Sequence, residues 1–105
     1  MVLIKVCMTR EVPPGTVRNF NLMERTILVA NLGGRYYAVD GLCSHGTANL
    51  ANGTLSGDII RCPRHFAEFD LRTGKVVKGP EAPGNVFDLR SYPIQVKDGC
   101  LHVDI

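Results

Sequence analysis

CSHGTANLANGTLSGDIIRCPRH, residues 43–65, opens and closes on the same pair of residue types. Cys43-Ser44-His45 and Cys62-Pro63-Arg64-His65 each offer one thiol and one imidazole, with sixteen residues between the two arms. Four donors of two kinds can converge on a metal. A tetrahedral zinc ion could take two cysteines and two histidines, yet structural zinc usually draws the cysteines from one knuckle and the histidines from one helix. Here each arm is mixed. Mixed arms suit a centre of two irons, one held by the cysteines and the other by the histidines, because each loop then spans both metals.

Working outward, the glycine-rich stretch around these arms runs from Gly41 to about Pro83. Within it, residues 54–61 read as a small hairpin and residues 69–77 as strand, turn and strand. Before it, residues 3–7, 26–31 and 36–40 are β-branched and aromatic enough for strands, and Gly33-Gly34 joins the last two through a turn that needs positive φ. After it, Tyr92, Ile94 and Val96 alternate with polar residues, Asp98-Gly99 turns the chain, and Leu101, Val103 and Ile105 alternate again. That pattern predicts a second hairpin with Tyr92 in its first strand. No window of a dozen residues carries a helical stripe, so the fold class expected is all-β.

At 105 residues and 11.5 kDa the chain is expected to be one domain. A hydrophobic share of 45% and a charged share of 21% suit a folded soluble protein, and no apolar run has membrane-spanning length. Residues 1–6 lack the basic start and apolar core of a secretory signal, so a cytoplasmic location is expected. There, four cysteines are first read as metal ligands or buried thiols rather than disulfides. Twelve Lys and Arg against ten Asp and Glu are too balanced for nucleic-acid binding.

The two arms resemble the Rieske [2Fe–2S] family, whose pattern Cys-x-His, fifteen to seventeen residues, Cys-x-x-His is met by Cys43, His45, Cys62 and His65. Gly46 after the first histidine, the Cys62-Pro63 opening of the second arm, and the run Phe69-Asp70-Leu71-Arg72-Thr73-Gly74-Lys75 extend the likeness. Gly79-Pro80-Glu81-Ala82-Pro83 is similar to the family's proline loop, which covers the cluster from a third side. Nearly the whole chain is similar to the small Rieske ferredoxins of bacterial ring-hydroxylating oxygenases. Phe66 departs from the family, which commonly has glycine after the second histidine.

The resemblance implies an antiparallel β-sandwich base, residues 1–40 and 84–105, carrying a small inserted β cluster-binding subdomain, residues 41–83, all within the single domain 1–105. It implies one [2Fe–2S] cluster held by Cys43, His45, Cys62 and His65. Such a ferredoxin is not an enzyme: it takes single electrons from an NAD(P)H-dependent flavin reductase and passes them to a terminal oxygenase that dihydroxylates an aromatic ring. A Rieske electron-transfer subunit of another reductase or oxygenase, such as a nitrite-reductase-like assembly, is the alternative. A monomer without nucleic-acid or membrane partners is expected.

Counting separates carrier from oxygenase. The non-haem iron of a terminal oxygenase needs two further histidines and a carboxylate, and beyond the cluster's pair this chain has only His102. Its potential is expected near the bottom of the family's range of roughly −150 to +300 mV. High-potential members place an extra cysteine in each loop where this chain has Ala48 and Arg64, and hydroxyl donors where it has Ala67 and Phe69. Fewer donors toward the cluster stabilise the reduced form less.

The remaining candidates have plainer readings. Cys7 and Cys100 read as buried small hydrophobes, and His102 as a surface or pairing histidine. Arg61, Lys75 and Lys78 read as a solvated face first and a basic rim second. Gly46, Thr47, Arg64 and Phe66 flank the histidines, and docking through Phe66 and Arg64 is the expectation, with Phe66 evenly balanced between exposure and inward packing.

Overall fold

In a computed structural model that describes residues 2–44 and 47–105, the chain is built almost wholly of short antiparallel strands. Among the described residues these are, in order, β1 (Leu3–Met8), β2 (Thr16–Leu22), β3 (Arg25–Leu32), β4 (Arg35–Asp40), β5 (Thr54–Ser56), β6 (Ile59–Arg61), β7 (Glu68–Asp70), β8 (Val76–Lys78), β9 (Ser91–Tyr92), β10 (Ile94–Lys97) and β11 (Cys100–Asp104). They form three sheets: β1-β11-β10, β2-β3-β4-β9 and β5-β6-β7-β8. The only helical pieces described are two single 3-10 turns, and no helix is long and apolar enough to cross a membrane.

Strand β3 organises the packing. Ile27, Leu28, Val29 and Ala30 are all fully buried, so both faces of the strand are covered and the usual alternation becomes a continuous apolar run. Leu28 and Ala30 pack with Val39, Cys43, Cys62 and the third sheet's Ile60 and Phe69. On the opposite face, Val29 packs with Cys7, Val12 and Leu101, and Ile27 with Ala38, Tyr92 and Val103. Each fully buried aliphatic side chain contributes roughly 1.5–3 kcal/mol, so one strand anchors both the sheet-on-sheet core and the core beneath the cysteines. The β3–β4 turn is the expected pair Gly33-Gly34, at φ 65° and 96°. Two successive positive φ values fit a tight turn whose twist matches the strands.

Two expectations need correction. Tyr92 does not begin the C-terminal hairpin; it lies in β9 and pairs with Ala38 of β4, while β10 starts at Ile94. Pro93 between them lacks an amide hydrogen, so the ladder breaks there and the chain passes from one sheet to the other. Its carbonyl still accepts from the Asp104 amide at 2.9 Å. Asp40 fixes the start of this crossing, accepting the Arg90 amide at 2.9 Å and the Tyr92 hydroxyl at 2.7 Å. Burial, reinforced by that carboxylate, raises the Tyr92 phenol above its ordinary pKa. The second correction is an added strand: β2 pairs along its whole length with β3, although Asn19 and Asn21 disguise it in the sequence.

Candidate metal centre

Cys43 and Cys62 occupy equivalent places on two loops. The first loop leaves β4 through Gly41 and Leu42; Leu42 bridges to Asn49, and the Cys43 amide donates to the Ala48 carbonyl at 2.9 Å. The second leaves β6, and the Cys62 amide donates to the Ala67 carbonyl at 2.7 Å, one rung beyond the Arg61–Glu68 pair. Each loop is thus a hairpin whose neck is closed by a cysteine amide and an alanine carbonyl five residues on. Cysteines at a neck point into the core, and in the second loop His65, three residues later, rides on the tip.

Burial follows that division. Cys43 is 5% and Cys62 1% exposed, both in one apolar cluster with Leu50, Ile60, Ala67, Phe69, Leu71 and Leu89. His65 is half-buried at the tip of the second loop, and its carbonyl accepts the Glu81 amide at 2.7 Å. His45, the fourth expected ligand, and Gly46 lie outside the described residues. All four cysteines are buried thiols without disulfides. Among the described residues, Cys, His, Asp and Glu side chains do not gather in threes as around a single ion. The arrangement is a buried cysteine pair with an imidazole at the rim, the pairwise division a two-iron cluster uses.

The run 79–83 lies against the second loop. Besides the Glu81–His65 backbone bond, Glu81 pairs with Arg61 at 3.3 Å and with Lys78 at 3.5 Å, so two of the cations read as a solvated face share one carboxylate. Phe66 adopts φ 65°, the left-handed region that glycine enters cheaply and other residues do not. The residue is 40% exposed and the Arg61 guanidinium lies 4.5 Å from its ring centroid. Outward exposure, rather than inward packing, is therefore its environment.

A different strap braces the first loop. The Ser44 hydroxyl donates to the Phe87 carbonyl and accepts from the Phe87 amide at 3.0 Å. Two residues on, the Leu89 amide donates to the Gly74 carbonyl at 2.7 Å, and Asp88 accepts the Val76 amide at 2.9 Å. Gly74, at φ 84°, stands where a Cβ would meet the Leu89 carbonyl oxygen at 2.2 Å, so only glycine lets the strap approach. That gives the motif 69–75 its part in the site: a rigid turn that seats the strap. Asp70 holds the turn, accepting the Arg72 amide at 2.9 Å and its guanidinium at 3.0 Å, and Arg72 reaches Asp58 at 3.4 Å. The hydrogen bond from Arg72 keeps the Asp70 carboxyl below its usual pKa. On the other side of the neck, Asn49 accepts the Ala51 amide at 2.9 Å and the Asn19 side-chain amide at 2.6 Å, tying the loop to β2.

Sequence reasoning treated Ser44 as a spacer and did not single out Asn19, Asn49 or Phe87. Ser44 and Phe87 are 43 positions apart, and no local pattern links them. Cys7 and Cys100 stay away from these loops, facing each other's strands as buried thiols, with burial raising the Cys7 thiol. His102 lies on β11 between Lys5 and Gln95, half-buried and remote from the ligand loops in the fold's topology.

A model of the Rieske [2Fe–2S] domain matches residues 2–93. The chain belongs to the Rieske [2Fe–2S] family. Among its relatives, a ferredoxin of Metapseudomonas resinovorans, CarAc, is 36% identical over 97% of this chain and 92% of its own. The ferredoxin component of biphenyl 2,3-dioxygenase from Rhodococcus jostii (strain RHA1) is 32% identical, covering 100% and 94%. The fold matches a chain from the complex of reduced oxygenase and oxidized ferredoxin in carbazole 1,9a-dioxygenase with a TM-score of 0.87, at 34% identity and covering 97% and 92%. The carbazole 1,9a-dioxygenase ferredoxin of Nocardioides aromaticivorans IC177 gives the same TM-score at 28% identity, covering 98% and 97%. The cofactor of this Rieske chain is a [2Fe–2S] cluster. The described donors fit it: soft thiols at the buried necks, an imidazole at the rim, and apolar walls at the cysteine end.

Proposed function

We propose that this chain is a low-potential Rieske ferredoxin whose cluster is held by Cys43 and Cys62 at the buried end, by His65 at the rim, and by His45. Its single domain divides its labour, with a base of residues 1–40 and 84–105 carrying a cluster-binding subdomain of residues 41–83. It takes electrons one at a time from an NAD(P)H-dependent flavin reductase and delivers them to a terminal ring-hydroxylating oxygenase, in the cytoplasm and as a monomer. The carrying observation is the pair of matching loop necks with buried cysteines, in a chain similar over nearly its full length to ferredoxin components of dioxygenases.

When bound, the cluster supplies reversible one-electron storage. The chain's own residues do the rest. Ala67 and Phe69, both fully buried beside the cysteines, exclude water and offer no hydroxyl. That environment supports a low potential. Glu81 braces the second loop at His65 and Ser44 ties the first to Phe87. His65 at the rim gives a partner a short path.

The experiment is a reconstituted chain. Purified holoprotein, carrying equal iron and acid-labile sulfide, is mixed with an NADH-dependent flavin reductase and the terminal oxygenase of the carbazole or biphenyl system. Bleaching by the reductase followed by reoxidation with ring-hydroxylated product supports the reading; a colourless zinc protein, or a reduced form that no oxygenase reoxidises, overturns it.

A further inference from the structure

Phe66 is an expensive choice. At φ 65° a bulky aromatic residue is strained relative to glycine. Burial does not compensate, because 40% of the residue remains exposed. Strain of this kind persists where the surrounding structure holds it and function uses it.

What holds it is visible. The Arg61 guanidinium lies 4.5 Å from the ring centroid, Glu81 anchors Arg61 at 3.3 Å, and the Glu81 amide is bonded to the His65 carbonyl at 2.7 Å. One side of the ring therefore rests on a cation that is itself tied to the histidine loop. The remainder faces solvent next to His65. Lys78 and Arg61 share Glu81, while Arg64 at the same tip makes no ion pair among the described residues. The rim thus presents an aromatic ring amid an excess of positive charge.

We propose that Phe66, presented by Arg61 beside His65, is a recognition residue for the terminal oxygenase, which receives the ring in an apolar patch with acidic groups at its edge opposite Arg64. This rests on the carrier reading above. Electron delivery requires the acceptor to approach the histidine rim, and an aromatic anchor ringed by charge is the composition that carries binding energy at small interfaces. Charge at the edge steers the encounter, and the ring slows release.

Phe66→Gly separates recognition from folding because it relieves the strained φ while removing the ring. With the terminal oxygenases of the carbazole, biphenyl and phenylpropionate systems as probes, holoprotein carrying Phe66→Gly is expected to keep its midpoint potential and to melt no lower than wild type. For the oxygenase that wild type reduces, its Kd is expected to rise about tenfold. Phe66→Ala, which keeps the strain, should bind as weakly without a gain in stability, and Arg64→Glu should weaken binding most at low salt. Unchanged oxygenase affinity in Phe66→Gly, a loss confined to the reductase, or a lower Tm with a shifted potential would each overturn the proposal. Wild-type holoprotein that reduces none of the three oxygenases would instead overturn the carrier reading.

Discussion

The two ligand loops close on the same rung and are braced in opposite ways. At 62–67, bracing is local and electrostatic at the tip: Arg61, Glu81 and Lys78 sit within twenty residues of the loop, and an exposed Phe66 is held against them. At 43–48 it is remote and built from hydrogen bonds, running from Ser44 to Phe87, along the strap to Leu89, and through Gly74 to the Asp70–Arg72 turn. Shared necks fix where the cysteines sit. Unlike braces mean that the first loop depends on the long-range fold and the second on nearby charge, so perturbations should tell them apart.

The largest expected effect strikes what the loops share. Cys62→Ser, or Cys43→Ser, removes a proposed neck ligand and should abolish cluster incorporation, leaving a colourless protein by visible absorption and iron analysis. Gly74→Ala attacks only the strap: a Cβ at 2.2 Å from the Leu89 carbonyl oxygen, on a backbone at φ 84°, should cost on the order of 3 kcal/mol in thermal unfolding. Iron release to a chelator should accelerate with it. Ser44→Ala deletes both bonds to Phe87 and should cost about 1–2 kcal/mol, speed iron release, and expose the Phe87 amide to hydrogen exchange. Ser44→Thr should restore protection, whereas equal exchange in wild type and Ser44→Ala would show that Ser44 does not clamp Phe87.

The smallest effect is a matter of pH. Because the folded pKa of Asp70 is depressed, its contribution is present above the unfolded carboxyl value of about 4 and is lost as pH falls through the folded value. Asp70→Asn should therefore lower the Tm at neutral pH and flatten its fall on acidification. An acid limb identical to wild type would place the strap's anchor elsewhere.

How much of this was legible follows the distance between the residues involved. The ligand arms, the Gly33-Gly34 turn and the Asp98-Gly99 turn are carried by neighbours in sequence, as is the β-branched stretch at 26–31 that marks β3. Strand β2 was hidden because Asn19 and Asn21 break its alternation, although Asn19 spends its amide on Gly41 and Asn49 near the first neck. Pro93 was visible, but its role in dividing β9 from β10 depends on a pairing partner in β4. The Ser44–Phe87 clamp depends on two segments meeting in space, which no spacing rule encodes. Phe66 stood out as a departure, and its outward placement became legible only with its φ and the Arg61 contact.

The midpoint potential of the holoprotein, measured by direct voltammetry at neutral pH on a sample whose iron and sulfide have been counted, decides whether this chain is a low-potential carrier. With Ala48 and Arg64 where disulfide cysteines would stand, and with buried Ala67 and Phe69 in place of hydroxyl donors, a value of about −150 mV is expected. A value of about +300 mV would contradict it and place the chain with quinol-linked respiratory Rieske proteins.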